Sequence, residues 1–146
     1  MMLVKKGAMR ENHDLPTISS TDYARLAGIA TSGMRYRRIP STARLLSGEL
    51  RRARVVHASE LPDDVVSMHS TVEFTDGITD RVRRATLVYP GEEDGGSGRI
   101  SVLSPLGAAL IGMAVGQSMR WHSATHGWRT LRVIRVVSEK ERREPS

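Results

Sequence analysis

The sequence predicts an α+β protein, a short antiparallel helical hairpin leading into a domain of antiparallel strands crossed by one helix. Three observations carry that prediction. Apolar residues recur at helical spacing in two stretches, Tyr23 to Ala30 and Leu45 to Ala53, with a break between Gly33 and Pro40. From Val65 onward the period changes to two: Val66, Met68, Ser70, Val72 and Phe74 fall on one parity, opposite Ser67, His69, Thr71 and Glu73. Finally, Ser104-Pro105 opens a brief apolar segment that Gly112 closes, the pattern of one short helix.

Taken in chain order, residues 1–18 show neither period, and Asn12-His13-Asp14 before Leu15-Pro16 reads as an unstructured lead-in. Ser19, Ser20, Thr21 and Asp22 offer caps for the first helix, whose Tyr23, Leu26 and Ala30 share a face. A second helix starts near Ser41-Thr42 and sets Leu45, Leu46, Leu50 and Ala53 at 3.6-residue spacing. Residues 19–54 are therefore expected to form the hairpin and 55–137 the sheet domain. Within the latter, Pro62-Asp63-Asp64 is a turn, and Val82 to Tyr89 is a strand ended by Pro90. Gly91 to Gly98 reads as an acidic, glycine-rich hairpin loop into a strand from Arg99 to Leu103. The helix from Pro105 to about Ile111 follows. Gln117–His122 and Trp128–Val137 then pair around Ser123–Gly127, and residues 138–146 form a charged tail expected to fray.

The 146 residues include no cysteine, which removes disulfides, thiolate metal sites and cysteine nucleophiles and suits a reducing compartment. The longest nearly apolar run, Leu106 to Val115, falls well short of the ~20 residues a membrane span needs. Met1 to Gly7 places its apolar residues ahead of the lysines, the reverse of a secretory signal. A cytoplasmic protein without membrane contact is expected, with Met2 and Met9 as alternative starts of the natural chain. The net charge is +6, and its location matters more than its size. Residues 19–54 hold arginines 25, 35, 37, 38, 44, 51, 52 and 54 against Asp22 and Glu49, which accounts for the whole excess. Such a run is either a solvated helix face or a docking surface for something negative, with Arg35, Arg37 and Arg38 near the tip.

No catalytic motif emerges. Gly95-Gly96-Ser97-Gly98 lacks the Lys and Ser/Thr of a phosphate loop, and Glu92, Glu93 and Asp94 beside it would repel phosphate. His122 and His126 are four apart but sit at a turn with no third ligand, so no metal is expected. Trp121 and Trp128 are expected to staple the last hairpin instead. Asp63-Asp64 reads as exposed turn acids rather than an acid–base pair. The reading is of a non-enzymatic chain with no cofactor and no small-molecule substrate.

Ser104-Pro105-Leu106-Gly107-Ala108-Ala109-Leu110-Ile111-Gly112, followed by Val115-Gly116-Gln117, resembles the signature of the C-terminal domain of the GreA/GreB transcription factors. Leu61 to Ser70 and Thr86-Leu87-Val88-Tyr89-Pro90 are closer to the branch that contains the regulators of nucleoside diphosphate kinase. The resemblance spans roughly Ser19 to Val137, and the family usually has Asp where this chain has Gln117. It implies an FKBP-like C-terminal domain and RNA polymerase as partner, with that domain at the rim of the secondary channel and the hairpin pointing inward. Nucleic acid is then met through the complex. Met68, Ser70, Ser104, Pro105, Leu106 and Gly107 are the implied docking residues; Arg35, Arg37 and Arg38 are channel or anionic contacts. Cleavage in this family rests on acids at the hairpin tip that help hold a second Mg²⁺. None lies between Asp22 and Glu49 here, so binding without stimulated cleavage is expected. The other readings are a small basic nucleic-acid-binding module and a Gre-like cleavage factor.

Overall fold

Residues 15–36 and 40–137 are described by the computed structural model, with the backbone alone at 33–36 and 40–42. Helix α1 spans Ser20–Tyr36 and α2 spans Pro40–Arg52. Ser19 caps α1 by accepting the Asp22 N–H through Oγ at 3.1 Å. The two helices pack on one another, burying Leu26 and Ala30 of the first with Ala43, Leu46 and Leu50 of the second. Gly33 was expected to end the first helix, yet α1 runs through it. A helical glycine costs only about 1 kcal/mol relative to alanine, which the packing around Leu26 and Ala30 outweighs. Pro40, expected as a breaker, is instead the first residue of α2, where its missing N–H costs nothing.

The expected lead-in through residue 18 stops earlier. Thr17–Ser19 is a strand, β1, paired in parallel with β2, Arg54–Val56. Three residues are too few to show a period, which is why the sequence hides it. Ile18 is buried, the Arg54 N–H donates to the Pro16 carbonyl at 2.7 Å, and Thr17 donates to Gly112 at 3.1 Å. The chain thus leaves for the helices and returns from them at one closed point.

The remaining strands, β3 (Thr71–Thr75), β4 (Arg83–Val88), β5 (Arg99–Ser101), β6 (Ser118–Ser123) and β7 (Gly127–Val137), form one sheet in the order β5-β4-β3-β7-β6. It is mixed, not wholly antiparallel as expected: β5 runs parallel to β4, with Leu87 opposite Ile100. The loop expected to be a simple hairpin reverses the chain twice. Tyr89 to Glu92 turns it once, and Asp94 and Arg99 then exchange backbone hydrogen bonds and turn it again. The strand expected from Val65 begins only at Thr71, because His69 has φ 67° and interrupts the extended backbone. The parity nevertheless survives, since Val66, Met68, Ser70, Val72 and Phe74 are all buried. Helix α3, Pro105–Leu110, closes the core against α2 and β6.

Candidate functional site

The corner between β5 and α3 is fixed by backbone geometry. Ser104 Oγ accepts the Gly107 N–H at 3.0 Å and donates to the Ser101 carbonyl at 2.7 Å, tying strand end to helix start. Pro105 occupies the first helical position, where its fixed φ is already right. Gly107 has no alternative: a Cβ there would overlap the Ser101 carbonyl oxygen. Gly112, at φ +81°, ends the segment and touches Pro16 so closely that a Cβ would lie 2.6 Å from the proline ring. Its N–H donates to Val66 at 2.9 Å, so three separate chain segments meet there. Downstream, Gln117 Oε1 accepts the Ala114 N–H at 3.0 Å and so holds that turn.

Beside this corner lies a groove of about 200 Å³. Its walls come from α2 (Leu45, Glu49), α3 (Pro105, Ala109) and the β6–β7 edge (Met119, Trp128). Leu45 and Trp128 are half exposed, unusual for such large apolar side chains. Trp128 does not pair with Trp121 across the hairpin as expected, because the register puts them on opposite faces. Trp121 is buried and donates to the Asp76 carbonyl at 2.9 Å, whereas Trp128 packs against His122 and beneath Arg120.

Of the six docking residues the resemblance implied, Ser104 and Pro105 reach the surface, while Met68, Ser70, Leu106 and Gly107 are buried. Buried side chains cannot be contacted, so these four support the corner from below. Ser70, for instance, spends its hydroxyl on the Ser67 backbone, donating at 2.7 Å and accepting at 3.1 Å. Arg35 is described by its backbone alone, and Arg37 and Arg38 lie outside the described residues.

Sequence reasoning missed a second constellation where α1 meets the sheet domain. Asp22 accepts the Met68 N–H at 3.2 Å and the Tyr89 hydroxyl at 3.3 Å. One turn along α1, the Arg25 guanidinium stacks 3.7 Å from the Tyr89 ring centroid. His69 packs edge-on to the same ring and contacts Glu92 at 2.9 Å, and Glu92 also takes the Tyr89 N–H at 3.1 Å. Burial pushes the Asp22 carboxyl above its usual value, although the Met68 and Tyr89 donors oppose it. Burial and the neighbouring Asp22 charge raise the Tyr89 hydroxyl too, while the His69 contact holds Glu92 down. The partners are 46 and 67 residues apart in sequence, so no local signal announces them.

Fold and site together define a small α+β module whose surface carries a Ser-Pro corner, fixed by backbone contacts, beside an apolar groove. The comparisons make the class specific. The profile described as "Transcription elongation factor, GreA/GreB, C-term" matches residues 61–138, so the chain belongs to the GreA/GreB family of transcription factors. Among its relatives, the "Regulator of nucleoside diphosphate kinase" of Escherichia coli strain K12 is 43% identical over 76 residues, which is 52% of this chain and 56% of that one. The "Transcription elongation factor GreA" of Azorhizobium caulinodans is 38% identical over 74 residues, 51% of this chain and 47% of that one. The matched segment therefore spans about half the length of these curated relatives. A solved structure, "Prokaryotic transcription elongation factor GreA/GreB from Nitrosomonas europaea", superposes with a TM-score of 0.66 at 35% identity, covering 84% of this chain and 98% of that one.

Proposed function

We propose that the protein is a non-catalytic regulator that binds RNA polymerase at the entrance of the secondary channel without stimulating transcript cleavage. In this reading residues 55–137 form an FKBP-like anchor and residues 19–54 a short antiparallel hairpin directed into the channel. Residues 1–18 and 138–146 flank them. Ser104 and Pro105, with the groove edges Leu45 and Trp128, make the contact, braced by Met68, Ser70, Leu106 and Gly107. No cofactor or small-molecule substrate takes part.

The position of the carboxylates carries the proposal. Asp22 is the third residue of α1, and Glu49 lies in the last turn and a half of α2 lining the groove. Both stand at the sheet-domain end of the helices, with Asp22 roughly 20 Å from the far end of α1 at 1.5 Å per residue. Between them the sequence has no acid, and Arg35, Arg37 and Arg38 fall between Gly33 and Pro40. Guanidinium groups at that end oppose the binding of a divalent cation, which is what stimulated cleavage requires.

The test is retention of the protein on immobilised RNA polymerase. Pro105→Ala combined with Leu45→Arg is expected to weaken retention by about tenfold, as loss of a central anchor does. The triple change of Arg35, Arg37 and Arg38 to Ala is expected to have a smaller effect, about twofold to threefold. Undiminished binding in both variants would remove the assignment.

A further inference from the structure

Between residues 55 and 137 the sequence has eight arginines and nine acids, a balance that suggests an uncharged surface. The fold separates the two signs. Seven of those arginines lie in strands, at 83, 84, 99, 120, 129, 132 and 135, while every acid except Glu73 lies outside the strands. The pleat then sorts the strand residues. Val72, Phe74, Leu87, Leu131 and Val133 face the core. On the opposite face the register aligns Arg84, Glu73 and Arg135 in one row and Arg99, Thr86 and Thr71 in another. Arg132 lies opposite Thr75 and Ser118, and Arg120 opposite Thr130. Arg84, Arg99, Arg120, Arg132 and Arg135 are all exposed on it. Against them stand Glu73, 3.5 Å from Arg135, and Asp94 at the margin beside Arg99.

Two further features lie on the same face. A polar hollow of about 260 Å³ opens among Thr71, Arg84, Thr86, Ser97 and Gly98, with the two threonine hydroxyls 2.9 Å apart. At the other end Trp128 is 55% exposed, edge-on to His122 and with Arg120 5.2 Å from its ring centroid. Counting seven residues along β7 from Arg135 to Trp128 at ~3.4 Å per residue, hollow and ring are separated by roughly 24 Å. Guanidinium groups and hydroxyls suit phosphate oxygens, and an exposed indole suits an unpaired base.

We infer that the outer face of the sheet binds a single-stranded nucleic acid, seating a phosphate in the hollow beside Arg84 and stacking a base on Trp128. An acidic protein segment would use the charges but leave the hollow and the ring without a purpose. This surface meets the groove beside the Ser-Pro corner at Trp128 and extends away from it over the sheet, and its test needs no polymerase.

Binding of a fluorescein-labelled oligo(dT) of about 12 nucleotides is measured by anisotropy across a salt series, using the full-length protein. Changing Arg84, Arg132 and Arg135 together to Ala is expected to lower affinity at least ~10-fold and to reduce the salt slope by about 2, at ~0.7 per phosphate contact. All three side chains are exposed, and an unchanged thermal melt certifies the fold. Trp128 fluorescence is expected to quench on binding. The inference is overturned if the triple variant binds as the parent does, or if the changes at Arg35, Arg37 and Arg38 alone abolish binding. Displacement of the oligonucleotide by polyglutamate of equal charge and at equal concentration also overturns it, and would point to an acidic protein as the occupant.

Discussion

Asp22 and Asp76 are both withdrawn from water, yet their surroundings move them in opposite directions. Asp76 is only 2% exposed, and burial alone would raise its carboxyl. Three donors reverse that: the Arg83 guanidinium at 2.9 Å and the N–H groups of Ile78 and Thr79 at 2.8 and 3.1 Å hold it below the usual value. Asp22 has two neutral donors at 3.2 and 3.3 Å, and burial prevails. Asp76 thus has one more donor than Asp22, and that donor is charged. Asp76 finds its partners within seven residues and so is held by a turn; Asp22 finds its own across the junction between helices and sheet. Asp76 is therefore held by local contacts, and Asp22 by contacts that form only when the helical pair meets the sheet.

That contrast can be tested in order of expected effect. Gly107→Ala, at the local Ser-Pro corner, should cost about 4 kcal/mol because the Ser101 carbonyl cannot retreat without unseating α3. At ~3 °C per kcal/mol for a chain of this size, the thermal midpoint should fall by roughly 12 °C. Asp76→Ala leaves two part-buried N–H groups and Arg83 without this acceptor and should cost about 3 kcal/mol in denaturant titration. Asp22→Ala should cost less, about 1–2 kcal/mol, and mainly accelerate hydrogen exchange in α1 relative to β3. Equal costs at the two acids would erase the distinction between a local turn and a long-range contact.

The smallest effect concerns pH, and here the two acids differ in sign. Asp22 carries a folded-state value raised above 3.8, so the folded protein binds the proton more readily than the unfolded chain does. Its contribution to stability is full below the unfolded value and is lost as pH rises through the raised one. Wild type should therefore gain on Asp22→Asn as pH falls from about 7 to about 4. Asp76 is lowered, so its stabilisation is present above 3.8 and disappears as pH falls below that toward the folded value. Comparing unfolding curves of wild type, Asp22→Asn and Asp76→Asn from about pH 7 to about pH 2 separates the two. A wild-type gain over Asp76→Asn on acidification would reverse the predicted sign.

What could be read from the sequence follows the same division. The Ser-Pro corner was readable because capping, the first-position proline and the closing glycine are all set within nine residues. The parity of Val66 to Phe74 correctly marked the buried face even though His69 breaks the strand. The parallel pairing of β5 was not readable, since a glycine-rich loop has the composition of a single reversal whether it turns once or twice. Asp76-Gly77 is a recognisable turn dipeptide that could have signalled the Asp76 site. Nothing near Asp22 signals Tyr89, because that contact exists only once the helices close over the sheet domain. The arginines of the outer face were hidden for another reason: a charge sum over a segment discards the sorting that strand pleating imposes.

The decisive measurement is RNA cleavage in stalled, backtracked transcription complexes, with the protein added alone and then together with a cleavage-stimulating Gre factor. Alone it should leave the cleavage rate at the level of polymerase itself, since the helical pair has no carboxylate between Asp22 and Glu49 to help hold a metal ion. Added in excess over the Gre factor, it should suppress stimulated cleavage in a dose-dependent way by occupying the same entrance. Acceleration of cleavage by the protein alone would contradict the proposed role.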